Sequence, residues 1–293
     1  MKRILIASIF LVTSFFINKP LFAQNDEQVY EEETVIDDGR GWSFGLNVGL
    51  YYVSKYSANN YNGEDVNENN VKYVLSQDFW YQEIYNILEA HDSIAVTLPQ
   101  DMRYKIALRP GLYGQYNFNP ALALVVEFNF MRLKAEDAIV FEVDPKPYAT
   151  EPDNRIFGIR GVEERVYADI GLKRSFPKEE NLSYFVTGGL NVNSTKVQKS
   201  SFFVEDKAGL ITKEYSMINV HGNQTYIPGS SMQTFNVYQG GIGVGMYVGG
   251  GATFRFANSI FVEPGITAHW LMVNLDRYKS MRPGIGAYIR FLF

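Results

Sequence analysis

Ten titratable side chains stand at alternate positions of segments that are otherwise apolar, aromatic or glycine-rich. They are Lys105, Arg109, Arg165, Lys173, Arg255, Arg290, Glu127, Asp169, Glu263 and His269. Alternate positions share one face of a strand, so we expect these groups to face a common interior. Buried charges must pair or they cost several kcal/mol each. We therefore predict an ion-pair network that fills and blocks this interior. The alternative is a selective pore, in which the excess of basic groups favours anions.

The segments that carry these groups alternate apolar residues with small or polar ones at a period of two, which predicts β-strands. In the first segment, Trp42 and Phe44 share a face opposite Ser43 and Gly45. Eight such segments occur, at 42–52, 104–118, 122–130, 165–173, 183–193, 241–256, 262–272 and 285–293. Side chains just fill the interior of an eight-stranded barrel, which favours the blocked interior over the pore.

The connections between these strands alternate in length. Tight turns rich in Asn, Pro and Ser are predicted at 117–120, 177–181 and 257–259. The other connections are long, at 57–102, 134–154 and 196–232, with a shorter one at 274–280. Short turns at one end and long loops at the other are typical of outer-membrane barrels, and an even strand count places both termini at the short-turn, periplasmic end.

Periodicity alone does not decide which strand face points outward, because a soluble lipocalin-type barrel alternates as well. Here the charges share a face with most of the glycines, which suits a crowded interior. Aromatic residues cluster near the strand ends, as they do at the two interfaces of a membrane. One predicted rim comprises Trp42, Phe44, Tyr116, Phe118, Phe254, Phe256, Phe291 and Phe293, and the other Tyr52, Tyr104, Phe130 and Trp270. We predict an all-β, eight-stranded antiparallel transmembrane barrel with its apolar face outward.

The last segment ends on alternating apolar residues and a terminal phenylalanine, with Ile289, Phe291 and Phe293 on one face. This ending resembles the signal that the bacterial barrel-assembly machinery recognises. The region 42–293 as a whole resembles the small eight-stranded outer-membrane barrels of the OmpA/OmpX type. That resemblance implies insertion in the cell outer membrane and contact with its lipids.

A narrower resemblance is to the PorT-type barrels of Bacteroidota. It rests on the glycine-rich segment 240–251 and on three Pro-Gly steps that are each followed by an aliphatic residue, at Pro110, Pro264 and Pro283. The resemblance implies a family that includes surface proteins and accessory factors of the type IX secretion system.

The N-terminal region divides into two predicted segments before the barrel at 42–293. Residues 1–23 have a basic start and a short apolar run, which predicts a secretory signal peptide. Residues 24–41 are acidic and polar, which predicts a disordered periplasmic tail. The chain has no cysteine, so we expect no disulfide, lipoprotein anchor or thiolate metal site. A net charge of -5 without a basic patch argues against nucleic-acid binding.

Catalysis has little support in this sequence. The chain contains three histidines, and on its strand His269 lies roughly 20 Å from Glu263, too far for a direct pair. The sequence around His269 lacks the His-x-Ser spacing of the lipid A deacylase family. We predict no catalytic residue, no cofactor and no metal site, and we interpret His269 as a member of the polar network.

One long connection contains a helical pattern. Trp80, Ile84, Ile87 and Leu88 recur at helical spacing between positions 77 and about 91, and Ser76 stands where an N-cap is expected. The apolar face of such a helix packs against the barrel rim or neighbouring loops. The alternative is that this face binds a partner.

Three functional hypotheses follow from these patterns. The first is a non-enzymatic barrel that presents large loops for surface interaction or as an accessory of a secretion or assembly complex, with a protein partner at its long loops. The second is a narrow transport barrel for a small solute. The third is an enzyme that acts on lipid at the barrel rim. We favour the first.

Overall fold

The computed structural model describes residues 40–65, 70–144, 153–179, 181–217, 240–257, 260–275 and 278–293. The predicted signal peptide and nearly all of the predicted acidic tail lie outside these residues. Within the described ranges, no helix is both long and apolar enough to cross a membrane.

In the described ranges ten strands form one antiparallel sheet, and eight of them close into a ring. The strands are β1 (Gly41–Val53), β2 (Ile94–Thr97), β3 (Ala107–Asn119), β4 (Leu122–Val143), β5 (Asp153–Glu179), β6 (Leu182–Glu205), β7 (Thr212–Ser216), β8 (Ile242–Ala257), β9 (Ile260–Met272) and β10 (Met281–Leu292). The ring order is β4-β3-β1-β10-β9-β8-β6-β5, and pairing of β5 with β4 closes it. The predicted eight-stranded barrel is confirmed.

The barrel wall is apolar outside and polar inside. On β1, Trp42 and Leu46 are exposed while Asn47 and Tyr51 are buried, as the alternation predicts. The same division holds on β10, where Ile285 and Ile289 are exposed and Arg290 is buried. A belt of exposed apolar side chains around a polar interior is the arrangement of a membrane-spanning barrel.

The predicted aromatic rims are largely exposed on the outer surface. At the short-turn end the Trp42 ring lies 5.9 Å from that of Phe44 and 5.2 Å from that of Tyr116. The prediction was wrong for Tyr104, which is buried and lies beside Arg165, 5.5 Å from ring centroid to guanidinium. Tyr104 precedes β3 instead of belonging to it, so the strand alternation does not place its side chain.

The tight turn at 117–120 is confirmed, but two long loops are much shorter than predicted. The predicted turns at 177–181 and 257–259 include residues outside the described ranges, and the strands beside them pair as far as Glu179 with Leu182 and Ala257 with Ile260. β4 continues to Val143 and β5 begins at Asp153, so most of the predicted loop 134–154 is strand. β6 likewise continues to Glu205 and is followed by β7. The reason is visible on β4. Up to Phe130 most of its apolar residues face outward, although Ala123 and Val125 are buried. From Met131 to Val143 the buried residues are all apolar, so the outward-facing apolar pattern ends while the strand continues.

A second layer covers the long-loop end of the barrel. The extended halves of β4, β5 and β6 join β2 and β7 in the order β2-β4-β5-β6-β7. Against the inner face of this sheet pack the described parts of the connection 54–106 outside β2. They contain a 3-10 helix (Lys55–Tyr61), α1 (Val71–Ser76) and α2 (Asp78–Ile87). We call this sheet and its connection the cap. Its core includes Ile84, Leu88, Leu133, Phe141 and Phe202, which are fully buried.

The predicted loop helix exists, with different limits. Ser76 was predicted as its N-cap, but Ser76 ends α1 and donates its hydroxyl to the Tyr73 carbonyl at 2.7 Å. Gln77 stands before α2 and makes no side-chain capping bond. The chain leaves the helix through Glu89, which has a positive φ of 53°. The predicted stripe faces the cap core, where Ile84, Ile87 and Leu88 are buried and Trp80 is partly buried.

Candidate functional site: the closed lumen and its cap

The centre of the lumen is organised around the Glu127 carboxylate on β4. Its Oε1 accepts hydrogen bonds from Asn47 at 2.6 Å, Asn129 at 2.8 Å and Arg109 at 3.1 Å. Its Oε2 accepts one from Arg290 at 2.5 Å. These donors lie on β1, β3, β4 and β10, so one buried carboxylate links four strands across the interior.

A second carboxylate, Glu263 on β9, holds the short-turn half of the lumen. It accepts from Arg290 at 2.9 Å and from Thr253 at 2.7 Å, and it forms an ion pair with Lys173. Lys173 also donates to Gln115 at 3.2 Å. Arg290 therefore bridges Glu127 and Glu263, and the two clusters form one continuous network.

A third carboxylate, Asp169 on β5, holds the upper part of the membrane-level lumen. It accepts from Asn191 at 2.6 Å and lies 3.2 Å from His269 Nε2 and 3.5 Å from Arg109. Three tyrosine rings surround the histidine with centroid distances of 5.5 to 5.8 Å, namely Tyr51, Tyr167 and Tyr247. The imidazole is thus enclosed by rings and one carboxylate, without a serine or second carboxylate positioned for catalysis among the residues that the structure describes.

The mouth of the barrel is closed by contacts between the wall and the cap. Arg165 and Glu163 on β5 form a buried ion pair at 2.5 Å. Tyr61 of the cap donates its hydroxyl to Glu163 at 2.5 Å, and Arg165 donates to the Ser57 hydroxyl at 3.2 Å. Burial, reinforced by the charge of Glu163, raises the pKa of Tyr61 well above its usual value, so the phenol remains a donor.

Gly161 makes the close approach of Tyr61 possible. A Cβ at this position would overlap the Tyr61 ring. The glycine therefore lets the aromatic ring lie flat against β5, directly above the Glu163–Arg165 pair. A residue without a side chain is therefore required at position 161 for the cap to pack against β5.

Eight of the ten predicted lumen residues are buried inside the barrel, and two are not. Lys105 is outside the network, with a side chain 63% exposed that pairs with Glu136 in the cap. Arg255 is exposed near the short-turn end, 5.7 Å from the Phe261 ring. Lys105 lies before the start of β3 and Arg255 near the end of β8, so neither is held within the closed interior.

The predicted basic excess disappears once the buried groups are compared. The structure buries the cations Arg109, Arg165, Lys173 and Arg290 and the anions Glu127, Glu163, Asp169 and Glu263, together with His269. Charges balance among these described groups, which removes the basis for anion selectivity. The predicted strand 165–173 begins after Glu163, so the sequence analysis did not include Glu163 among the lumen residues. The i, i+2 spacing of the two residues was the available signal.

The described lumen leaves little free space. Below the cap, Tyr51, Ser57, Arg165 and Tyr167 line a cavity of about 20 Å³, which is room for roughly one water molecule. No cluster of three or more potential metal ligands occurs in the described parts of the chain. The described interior is suited to holding the wall together, because its buried charges are paired across the barrel.

The cap is fastened by its own polar contacts. Glu214 on β7 accepts from Arg160 at 3.0 Å, Lys199 at 2.8 Å and Ser201 at 2.5 Å. Partial burial acts to raise the pKa of Glu214, but these hydrogen bonds and charges outweigh it and lower the pKa to about 2. Glu83 of α2 pairs with Lys213 on β7, which ties the loop helix to the sheet.

A second fastening involves Asp144, at the end of β4. Its carboxylate accepts backbone N–H bonds from Asp92 at 2.6 Å, His91 at 2.9 Å and Ser93 at 3.3 Å. These bonds, the one from Asp92 first, lower the pKa of Asp144. The connection after α2 is therefore held against β4 by main-chain donors.

The residues of the terminal pattern lie on the outer surface of β10. Ile289, Phe291 and Phe293 are all exposed near the short-turn end. Phe293 also closes the ring, because its N–H donates to the Phe44 carbonyl at 2.8 Å. The apolar side chains thus face outward while the backbone seals the wall.

Neither a protein-family model nor a curated protein sequence matches this chain. Among solved structures it is similar to Neisserial surface protein A, with a TM-score of 0.40 and 9% identity over 85% of this chain and 95% of that one. It is also similar to Ail of Yersinia pestis in complex with the heparin analogue sucrose octasulfate, with a TM-score of 0.34 and 9% identity over 86% and 99%. A third is the outer membrane protein OprG from Pseudomonas aeruginosa, with a TM-score of 0.34 and 10% identity over 87% and 97%. At these scores the likeness carries no inference about activity, and the architecture rests on the strand pairing of this chain.

Proposed function

We propose that this protein is a non-enzymatic outer-membrane barrel that anchors a folded cap at the cell surface. The observation that carries the proposal is the continuity of wall and cap: β4, β5 and β6 run from the membrane belt into the cap, whose apolar core buries residues of α2 and of the connection before it. A structured, rigidly attached cap above a filled lumen supports display and recognition.

The proposed orientation puts the cap outside the cell and the short turns in the periplasm. Residues 1–23 would direct export and be removed, and residues 24–41 would form a periplasmic tail. The terminal pattern Ile289, Phe291 and Phe293 would be read by the barrel-assembly machinery during insertion. Outer-membrane lipid would then contact the exposed apolar belt.

Ion conduction is not expected. Each of the buried carboxylates Glu127, Glu163, Asp169 and Glu263 has a cationic partner. Pulling such pairs apart to open a path costs several kcal/mol for each uncompensated charge. In planar-bilayer recording we expect no stable conductance, and steady ohmic channels would contradict the plugged lumen. The described lumen offers no observation that favours the narrow transport barrel.

For the finer role we propose that the cap binds a protein partner, as in surface recognition or in a PorT-like accessory of a secretion complex. Large apolar side chains remain exposed on the cap, including Leu210 at 85% and Phe79 at 75%. Contiguous apolar patches exposed to water mark candidate recognition surfaces, and we propose that Phe79 and Leu210 belong to such a patch. An affinity pull-down from native membranes tests this role. A stoichiometric partner that is lost in Phe79→Asp and kept in the exposed control Lys72→Ala would support it. A barrel recovered alone would refute it.

The orientation is tested separately with single-cysteine variants, since the chain has no cysteine of its own. Leu210→Cys in the cap and Ala121→Cys in the β3–β4 turn are both at exposed positions. On intact cells a membrane-impermeant maleimide should label the first and reach the second only after the outer membrane is permeabilised. Labelling in the opposite order would overturn the proposed topology.

A further inference from the structure

The wall of the barrel is interrupted between β3 and β4. Their ladder has no registered pair between Gly111–Asn129 and the isolated bridge Tyr104–Ala135. Within this stretch six residues of the β3 side face five of β4, so the register shifts by one residue across the gap. Pro110 lies in it and contributes no backbone donor. The strands therefore separate near the long-loop edge of the apolar belt.

This separation leaves an apolar groove on the lipid-facing side of the wall. The groove has a volume of about 400 Å³, and its outer walls are Leu108, Pro110, Phe130 and Val166. These side chains are exposed on the barrel surface. A volume of this size is within the range of small-molecule pockets.

The groove is closed on the lumen side. Met131 and Arg165 line it from within, and both are buried. Arg165 is held there by Glu163 and Ser57. A ligand in the groove would therefore stay in the wall and have no passage into the lumen.

Two cations stand directly above the groove. Arg132 lines its upper edge, and Lys134 follows two residues later on the same exposed face of β4. Neither has an ion-pair partner among the described residues, whereas the neighbouring Glu164 accepts from Gln198 at 2.7 Å and Glu136 is paired with Lys105. Glu164 lines the same groove opposite Arg132 and keeps its negative charge, since its Gln198 donor is neutral. Two cations and one carboxylate therefore leave a net positive charge at the edge of the apolar belt, about where lipid headgroups lie.

We propose that this groove binds one acyl chain of an anionic, phosphate-bearing membrane lipid, with its headgroup held by Arg132 and Lys134. An apolar groove in the membrane belt selects an acyl chain. Unpaired cations above it select a negatively charged headgroup over a zwitterionic one. The occupant is a lipid of the leaflet at the cap end of the barrel.

The test is lipid binding to the purified full chain in detergent, counted by native mass spectrometry with phosphatidylglycerol and phosphatidylcholine as probes. We expect one tightly bound phosphatidylglycerol molecule per protein, and we expect phosphatidylcholine to bind at least roughly tenfold more weakly. Arg132→Gln with Lys134→Gln should weaken phosphatidylglycerol binding by about 25-fold, at roughly fivefold per cation, and leave phosphatidylcholine binding unchanged. Arg174→Gln, an exposed cation at the short-turn end, is the matched control.

A second variant tests the groove itself with all charges intact. Val166→Trp fills the groove and should abolish retention of both lipids, whereas Leu190→Trp, on the exposed face of β6 away from the groove, should not. Heat-modified gel mobility verifies that each variant is a folded barrel, and Leu108→Trp, on the opposite wall of the groove, replaces Val166→Trp if that variant does not fold. Equal affinity of the wild type for both lipids, or wild-type binding by the filled variant, would overturn the proposal.

Discussion

The charge balance of the lumen can be tested with a double-mutant cycle at Glu127 and Arg290. Glu127→Gln keeps the shape of the side chain, and its amide oxygen can take the place of Oε1, which accepts from Arg109 and the neighbouring asparagines. Its NH₂ group then replaces Oε2 and faces the Arg290 guanidinium, donor against donor. The described lumen is left with one positive charge in excess. Arg290→Met removes the cation and leaves one negative charge in excess.

Each single substitution should lower the free energy of unfolding substantially, and the double substitution should lower it by less than the sum of the two single effects. Removing one partner of a buried ion pair costs about 3–5 kcal/mol. Arg290 retains Glu263 at 2.9 Å and Glu127 retains Arg109 at 3.1 Å, so we expect values near the lower limit, about 3 kcal/mol each. The double variant restores charge balance, and we expect a coupling energy of about 2 kcal/mol.

The free energy of unfolding would be measured in urea on vesicle-inserted protein, followed by the fluorescence of Trp42 and Trp270, which face the lipid. Glu205→Gln, an exposed carboxylate of the cap, is the control and should change stability by less than about 0.5 kcal/mol. Single variants that cost under about 1 kcal/mol, or effects that add without coupling, would show that water screens the lumen charges and would refute the argument.

Three further predictions concern the cap and the terminal strand. Gly161→Ala should destabilise the cap by about 1–3 kcal/mol because the added methyl group overlaps the Tyr61 ring. Limited proteolysis should then cleave the cap of this variant faster than that of the wild type. In the control Gly158→Ala the nearest atom to the added methyl group would lie at 3.6 Å, so this variant should resist proteolysis like the wild type. Because the pKa of Glu214 is lowered from 4.5 to about 2, the stabilisation by this carboxylate is present above pH 4.5 and lost as pH falls towards 2. A nitroxide at position 210 should gain mobility over that range, and in Glu214→Gln it should be mobile already at pH 7. Identical pH profiles of nitroxide mobility in the wild type and the variant would contradict the assignment. Phe293→Ala should lower the yield of assembled barrel in cells, yet leave the unfolding free energy within about 1 kcal/mol of wild type because the side chain faces outward; unchanged yield would argue against a role in assembly.

The strand alternation by itself was sufficient to predict the barrel. Each membrane-level strand has lipid on one side and a polar lumen on the other, so residues such as Leu46 and Asn47 report their environment directly. The turn between β3 and β4 was equally predictable, since Asn119 Oδ1 accepts the backbone N–H bonds of Ala121 and Leu122 that close it. Eight of the predicted lumen residues follow from the same parity.

The cap was not predictable by that rule, because the environment reverses along a single strand. Below Phe130 the outer side of β4 faces lipid, whereas above it the outer side faces away from an apolar core formed with the connection 54–106. Apolar residues therefore change parity at Met131, and a pattern defined by one face ends there. The parity change is present in the sequence, but it takes a partner layer to explain it.

The partners within the lumen were decided by tertiary structure alone. Periodicity places Glu127, Arg109 and Arg290 on inward faces, but their pairing depends on ring closure, which brings β10 beside β1 and across from β4. It also excludes Lys105 and recruits Glu163, which converts the predicted basic excess into balance. Parity determines which side of the wall a residue faces, whereas electrostatic pairing depends on distances across the barrel that only the closed sheet sets.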